Sequence, residues 1–270
     1  MKMLPGYFDQ LLMLPLPLMA LFLIVYWGLF ALLVHRFLVP WIAGIEGHKL
    51  GRFEAEVPAQ IGLAFGLLVS FIAIPVWEQH SLAEEASRSE AAAYREMLLS
   101  IEDSPPETRE PLVASLQEAV NFLVVTEWPQ MASLKAPRVS APPLRELRAA
   151  VRSIPEGSLR TDLHEFLRQA SDSRETRLRI AATRPPPARW GIVGVLAILT
   201  LLGVGLIHAE SRRARRMALG MVAIGIACCF MILFAYSRPY LGQYAIQPDD
   251  LCILLAQMTD GDLSSHLSEL

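Results

Sequence analysis

"HAESRRARRMAL", His208–Leu219, sets four arginines, Arg212, Arg213, Arg215 and Arg216, between two strongly apolar stretches. Short loops rich in Lys and Arg stay on the cytoplasmic side of a membrane. Such a hinge makes sense when both of its neighbours cross a bilayer, and crossing takes about 20 mostly apolar residues. The stretch before the hinge, Trp190 to His208, and the one after it, Met217 to Tyr236, both qualify. Two earlier stretches do as well, Pro17 to Val39 and Ala59 to Trp77. Pro17 suits a helix start, and Pro40 is expected to end the first span. Trp77, Trp190 and Tyr236 fall at segment ends, where aromatic rings favour the headgroup level.

Composition agrees with a mixed chain. Of 270 residues, 53% are hydrophobic and 19% charged, with a mean hydropathy of +0.37. That is too apolar for an ordinary soluble domain and too charged for a protein made only of spans. A net charge of −3 gives no footprint for nucleic acid. Cys228 and Cys229 are adjacent in an apolar run and Cys252 stands alone, which argues against a disulfide framework or a zinc site. The long apolar stretch near the N-terminus exceeds the roughly 7 to 15 residues of a signal-peptide core and reads as a retained helix.

The hinge also assigns sides. With four spans, loop 209–216 lies on the same side as loop 40–58, which carries Lys49 and Arg52, with Arg36 just inside the end of the first span. The opposite side receives Lys2 and Arg238. A multi-pass membrane protein is expected, with both termini and region 78–189 periplasmic or extracellular. Arg174, Arg177, Arg179, Arg184 and Arg189 pull the other way, but long loops translocate largely regardless of charge.

Region 78–189 reads as helices in near charge balance. "EQHSLAEEASRSEAAAYREMLLSI" follows the second span without a proline or glycine, so that helix is expected to continue out of the membrane. "SPPETREPLVASLQEAVNFLVVTEW" opens with Ser104 as an N-cap and Glu107 three residues on, a capping-box pattern, and Pro129 is expected to stop it. Further on, Leu159, Leu163, Phe166 and Leu167 share one face. In the tail, Pro248, Asp249 and Asp250 suit a helix start and Gly261 its end, with Leu251, Leu254, Leu255 and Met258 free to lie on the bundle or on the membrane. The fold class is therefore all-α: four transmembrane helices with a large helical insertion between helices 2 and 3. The expected division is 1–77 for the first two spans, 78–189 for the extramembrane bundle, 190–236 for the last two spans and 237–270 for a tail with a short amphipathic helix.

The Trp77-Glu78-Gln79 exit from the second span leads into "LAEEASRSEAAAYREM", and after it come "EWP" at Glu127 to Pro129, "RETRLRI", "ESRRARR", and "RPYLG" from Arg238 to Gly242. Motifs in this order resemble the bestrophin-like family of bacterial integral membrane proteins. Order and spacing agree from about residue 48 to 248. The family often has an Asp before the Arg-Pro, where this chain has Ser237, and a polar His-Asn-Asp-like turn before the second span, where this chain has "RFEAEVP". The resemblance implies, by analogy with bestrophins, an oligomeric ion channel selective for anions.

The residues are compatible with a channel. The span interiors hold no Asp, Glu, Lys or Arg, which argues against an ion-coupled carrier and leaves a pore lined by backbone, hydroxyls and apolar constrictions. Gly62, Gly66 and Ser70 form a small-residue stripe on the second span, suited either to helix packing or to a pore wall, with Phe65 or Phe71 as a constriction. Arg177, Arg184 and Arg189 are candidates for an anion-concentrating mouth, with lipid phosphate as the competing partner. Arg212, Arg213, Arg215 and Arg216 are first of all the cytoplasmic topology anchor. Thr200 is expected to bond back to its own helix. No catalytic motif, metal spacing or cofactor loop is present, so no enzyme and no cofactor is expected. The expected partners are the lipid bilayer, further copies of the chain and an inorganic anion, with no nucleic acid. The competing function is a membrane-anchored sensing or partner-binding protein that uses the 78–189 helices.

Overall fold

The computed structural model describes residues 13–44, 54–132, 141–183 and 187–268, and among them there is no strand. Lys2, His48, Lys49, Arg52 and Arg184 lie outside the described residues. Among the described residues eight helices follow in order. Helix α1 is an α-helical stretch Leu16–Leu33, a π-helical turn Val34–Leu38 and a last turn Val39–Ala43, closed by Gly44 at φ 82°. Such a left-handed cap suits glycine. Helix α2 runs Glu56–Glu102 without interruption for 47 residues. Helix α3 is Pro106–Phe122, continued by a π-helical turn Leu123–Glu127 and by Trp128–Ala132. Then come α4 (Pro142–Ser153), α5 (Ser158–Ala182), α6 (Pro187–Ile207), α7 (Arg212–Tyr236) and α8 (Asp249–Ser268). By length and composition, α1, α2, α6 and α7 can each cross a membrane.

Two prolines expected to end helices do not. Pro40 and Pro129 each sit two residues beyond a π-helical turn, and each helix runs on through its proline. A proline lacks an N–H and crowds the carbonyl four residues back. Here the residue before each proline already bonds five residues back, Val39 N–H to Val34 O and Trp128 N–H to Leu123 O. The wider turn takes up the misfit that would otherwise break the helix.

Three further boundaries differ from expectation. Ser104 does not cap α3; it closes α2, with its N–H on Ile101 O at 3.0 Å and its hydroxyl on Ser100 O at 3.4 Å. Gly261 does not end α8, which continues to Ser268; a glycine inside a helix costs only about 1 kcal/mol. The hinge is shorter than loop 209–216. Ser211 accepts the Ala214 N–H at 3.3 Å and caps α7, so all four arginines stand in its opening turns.

The helices sort into two compact units. One comprises residues 1–78 and 184–238, the other 79–183 and 239–270. In the first, α1 buries Met19, Leu23, Trp27, Ala31 and Val34 at helical spacing, chiefly along α7. Trp27 meets the Phe230 ring at 5.2 Å, and Trp190 meets Phe234 at 4.9 Å. Trp190 thus spends its ring on α7. Helix α6 fits closely because Gly205 has no side chain; a Cβ there would stand 2.8 Å from Val39 Cγ2 and 3.1 Å from Val34 Cγ1.

In the second unit, one apolar cluster joins α2, α3, α4, α5 and α8. Leu112, Leu116, Ala119 and Leu123 supply the α3 face, and Leu163 and Leu167 that of α5. Leu251, Leu254 and Met258 of α8 are buried in the same cluster, so the tail helix is a structural part of this unit.

The close approach at Gly205 gives a first prediction. Gly205→Val should lower the thermal unfolding midpoint in detergent, at a cost of about 1–3 kcal/mol. Gly66→Ala, whose new Cβ meets nothing within 4 Å, should leave it unchanged or raise it. Equal midpoints for Gly205→Val and the parent chain would contradict the packing of α6 on α1.

Candidate functional site

The second unit is organised around a guanidinium. Arg177 on α5 has no exposed surface. A buried cation without partners is prohibitive, so its donors have to be matched within the fold. Nε donates to Glu90 Oε2 at 2.6 Å, and Nη2 donates to Glu90 Oε1 at 3.1 Å and to Glu127 Oε1 at 2.6 Å. Nη1 reaches Met131 Sδ at 3.1 Å, and the Trp128 ring lies 4.6 Å from Cζ. Arg174, one turn earlier, donates from Nε to both oxygens of Glu127 at 3.2 and 3.0 Å, and from Nη2 to Oε2. Two guanidiniums therefore meet two carboxylates, and the cluster is neutral as a whole.

An outer layer of hydrogen bonds holds this centre. Trp128 Nε1 donates to Ile246 O at 3.0 Å, and its ring meets Tyr240 edge-on at 5.8 Å. The Tyr240 hydroxyl donates to Ala83 O at 3.0 Å and lies 3.2 Å from Ser87 Oγ. Burial pushes the Tyr240 hydroxyl up to about 12, so it remains a donor. Burial also pushes the Glu90 carboxyl above its ordinary range, against the pull of Arg177. Burial opposes the Arg177 charge, yet Glu90 and then Glu127 outweigh it and hold the guanidinium above its usual value. Gly242, at φ 96°, turns the chain between Tyr240 and Ile246, and Ile246 N–H closes the loop on Pro239 O at 2.8 Å.

Arg177 is thus not an open mouth, which corrects the expectation for that residue. Its charge is fully committed to Glu90 and Glu127 and no solute can reach it. Arg189 is exposed. Arg184 lies outside the described residues. Of the four hinge arginines, Arg212, Arg213 and Arg216 are exposed, as suits an anchor, but Arg215 is buried. Arg215 donates from Nη1 to Ala209 O and from Nε to His35 Nδ1, each at 3.1 Å, and so ties the start of α7 to the π-helical turn of α1.

The stripe on α2 divides. Gly62 is half-buried, with Thr200 Cγ2 3.8 Å from a Cβ built there, and Thr200 donates to Leu196 O of its own helix at 2.8 Å. Gly66 and Ser70 are exposed with open space beside Gly66, and Ser70 bonds back to Gly66 O at 3.0 Å. Phe65 is buried in its own unit and Phe71 points outward, 69% exposed. Among the described residues no group of His, Cys, Asp or Glu converges to hold a metal ion.

The charge cluster was missed from sequence although it left a signal. Glu90 stands in register with Ala83, Tyr94, Met97 and Ile101, all buried on α2, and Arg177 stands in register with Leu163, Leu167 and Ala170 on α5. An acid on one apolar face and a base on another mark a buried pair.

Comparison with known proteins places these motifs. The model of the bestrophin-like domain matches residues 54–251. Structures of a bacterial bestrophin homolog from Klebsiella pneumoniae, each a single-substitution variant, superpose with TM-scores of 0.67 and 0.66. They are 13% and 14% identical, cover 88% of this chain, and are themselves covered over 97% and 96%. A further structure, described as a membrane protein, gives a TM-score of 0.67 at 13% identity, covering 88% of this chain and 96% of its own. At this identity the likeness is one of fold. No functionally curated protein matches.

Removing Arg177 would leave two carboxylates buried together. Arg177→Met should cost about 3–5 kcal/mol, read as a lower midpoint in denaturant. Arg88→Met, on an exposed pair with Glu84, should give no measurable shift. Comparable midpoints for the two variants would refute the central role of Arg177.

Proposed function

This chain belongs to the bestrophin-like family, and we propose that it forms a homo-oligomeric membrane channel that conducts small inorganic anions. The observation that carries the reading is the exposure of α2. Of the four apolar spans, α2 is the least buried by its own chain, 17% of its apolar window against 28%, 33% and 39% for α1, α6 and α7. Its outward surface combines the open backbone at Gly66 and Ser70 with Leu63, Leu67, Phe71 and Ile74. Small residues let helices approach closely in lipid. That favours a second copy against α2, and a ring of such copies would bring several α2 helices round one axis. Four spans, the number found among the described residues, seldom enclose a conduit alone.

On this reading Phe71 is the candidate constriction and Ser70 supplies a weakly polar wall, while Phe65 and Gly62 support α2 from within the chain. Apolar rings of this kind gate by dewetting and need no titratable group. Anion preference is assigned to the exposed arginines at the span ends, Arg189, Arg212, Arg213 and Arg216, whose field concentrates anions at the entrances.

Reversal potentials test the proposal. Purified protein in a planar bilayer under a chloride gradient at fixed pH should carry a current that reverses near the chloride equilibrium potential. Absence of protein-dependent current from verified, inserted oligomers would rule out the channel. Gly66→Leu, which meets nothing in its own chain, should keep the unfolding midpoint of the protomer while changing conductance or oligomer size. Unaltered conductance and assembly would remove Gly66 from the pore and the interface.

A further inference from the structure

Helices α4 and α5 border an open surface cavity of about 360 Å³, lined by exposed basic side chains whose charge is not balanced by its own walls. Arg148 and Arg152 reach it from α4, one turn apart, and His164 and Arg168 reach it from α5, also one turn apart. The spacing follows from the amphipathic pattern: Leu147 and Val151 turn into the core, which leaves the neighbouring arginines on the rim. Three guanidiniums face a single lining carboxylate, Asp172, and that carboxylate is taken. Arg168 donates to Asp172 at 3.1 Å and pairs with Glu165 on its other edge. Arg148 donates to the hydroxyl of Ser171, a neutral acceptor that fixes the guanidinium without neutralising it. Among the described residues neither Arg148 nor Arg152 has a carboxylate within 4 Å. Elsewhere on α5, Arg160 is met by Glu156 and Arg174 and Arg177 by the buried pair, whereas exposed Arg179 has no ion pair among the described residues.

We propose that this cavity is a binding site for a phosphate group, carried by free phosphate or by the monoester of a small organic molecule. Guanidinium forks match phosphate oxygens two at a time. Arg148 and Arg152 would grip from one helix, and His164 would add a donor from the other. Leu167, 5% exposed at the floor, offers the apolar contact that an organic part would use. The volume lies at the small end of the range for ligand cavities, which suits a compact phosphorylated molecule. Helix α5 also carries Arg174 and Arg177, so occupancy would act on the element that anchors the charge cluster.

The test is calorimetric titration of the full-length protein in detergent, at constant ionic strength, with inorganic phosphate and separately with glycerol 3-phosphate. One saturable site per chain is expected, weakened at least tenfold in R148A/R152A and unaltered in R88A. Tighter binding of the ester would identify a phosphorylated organic molecule as the ligand, and equal binding would identify phosphate itself; both support the site. Where the alanine pair fails to fold, R148K/R152K keeps the charge and loses the fork, and a several-fold weaker affinity is expected. No saturable heat with either probe, or parental affinity in a folded R148A/R152A protein, would overturn the proposal.

Discussion

A guanidinium sealed from water has to be paired, and in this protein that requirement joins elements far apart in sequence. Arg177 needs Glu90 from α2, Glu127 from the π-helical turn of α3, and Arg174 to balance the second carboxylate. Trp128 closes the cluster with its ring and then binds the chain after Tyr240 through Ile246 O. A buried ion pair is weak evidence for stability taken by itself, because desolvation consumes much of the attraction. Its effect is selective. Any arrangement of these helices that leaves one of the four charges unmatched is heavily penalised, whereas apolar contacts alone tolerate sliding.

The π-helical turn of α3 belongs to the same constraint. It lets the helix pass through Pro129 and places Glu127 and Trp128 side by side against Arg177. The corresponding turn in α1 passes through Pro40 and presents His35 to Arg215. In both units, then, a widened helical turn next to a proline supplies the acceptor for a buried arginine.

Much of this fold can be read in the chain itself, because long apolar runs and an arginine-rich hinge follow from the cost of exposing backbone and charge to lipid. Motifs such as Glu127-Trp128-Pro129 and Arg238 to Gly242 point to the family before any geometry is known, and the structure gives several of their residues a purpose: Glu127 and Trp128 pack on Arg177, Tyr240 on Trp128, and Gly242 turns the chain. What escapes a one-dimensional reading depends on neighbours distant in sequence. Arg177 and Arg189 look alike as basic residues near a span, yet one is buried and the other exposed. Pro40 and Pro129 look like stops because the π-helical turn that rescues each has no local signature. Ser104 looks like a cap and instead closes the preceding helix. On α2, the small-residue pattern is plain, but only the structure separates Gly62, which faces α6, from Gly66 and Ser70, which face outward.

The central claim is that Arg177 and Glu90 act as one unit. A double-mutant cycle on unfolding free energy, with Arg177→Met, Glu90→Met and the double variant, measures this most directly. Strong coupling is expected: each single variant leaves a charge stranded, and the double variant recovers a large part of the loss, with an interaction energy of about 2–3 kcal/mol. Losses that simply add, within about 0.5 kcal/mol, would contradict it.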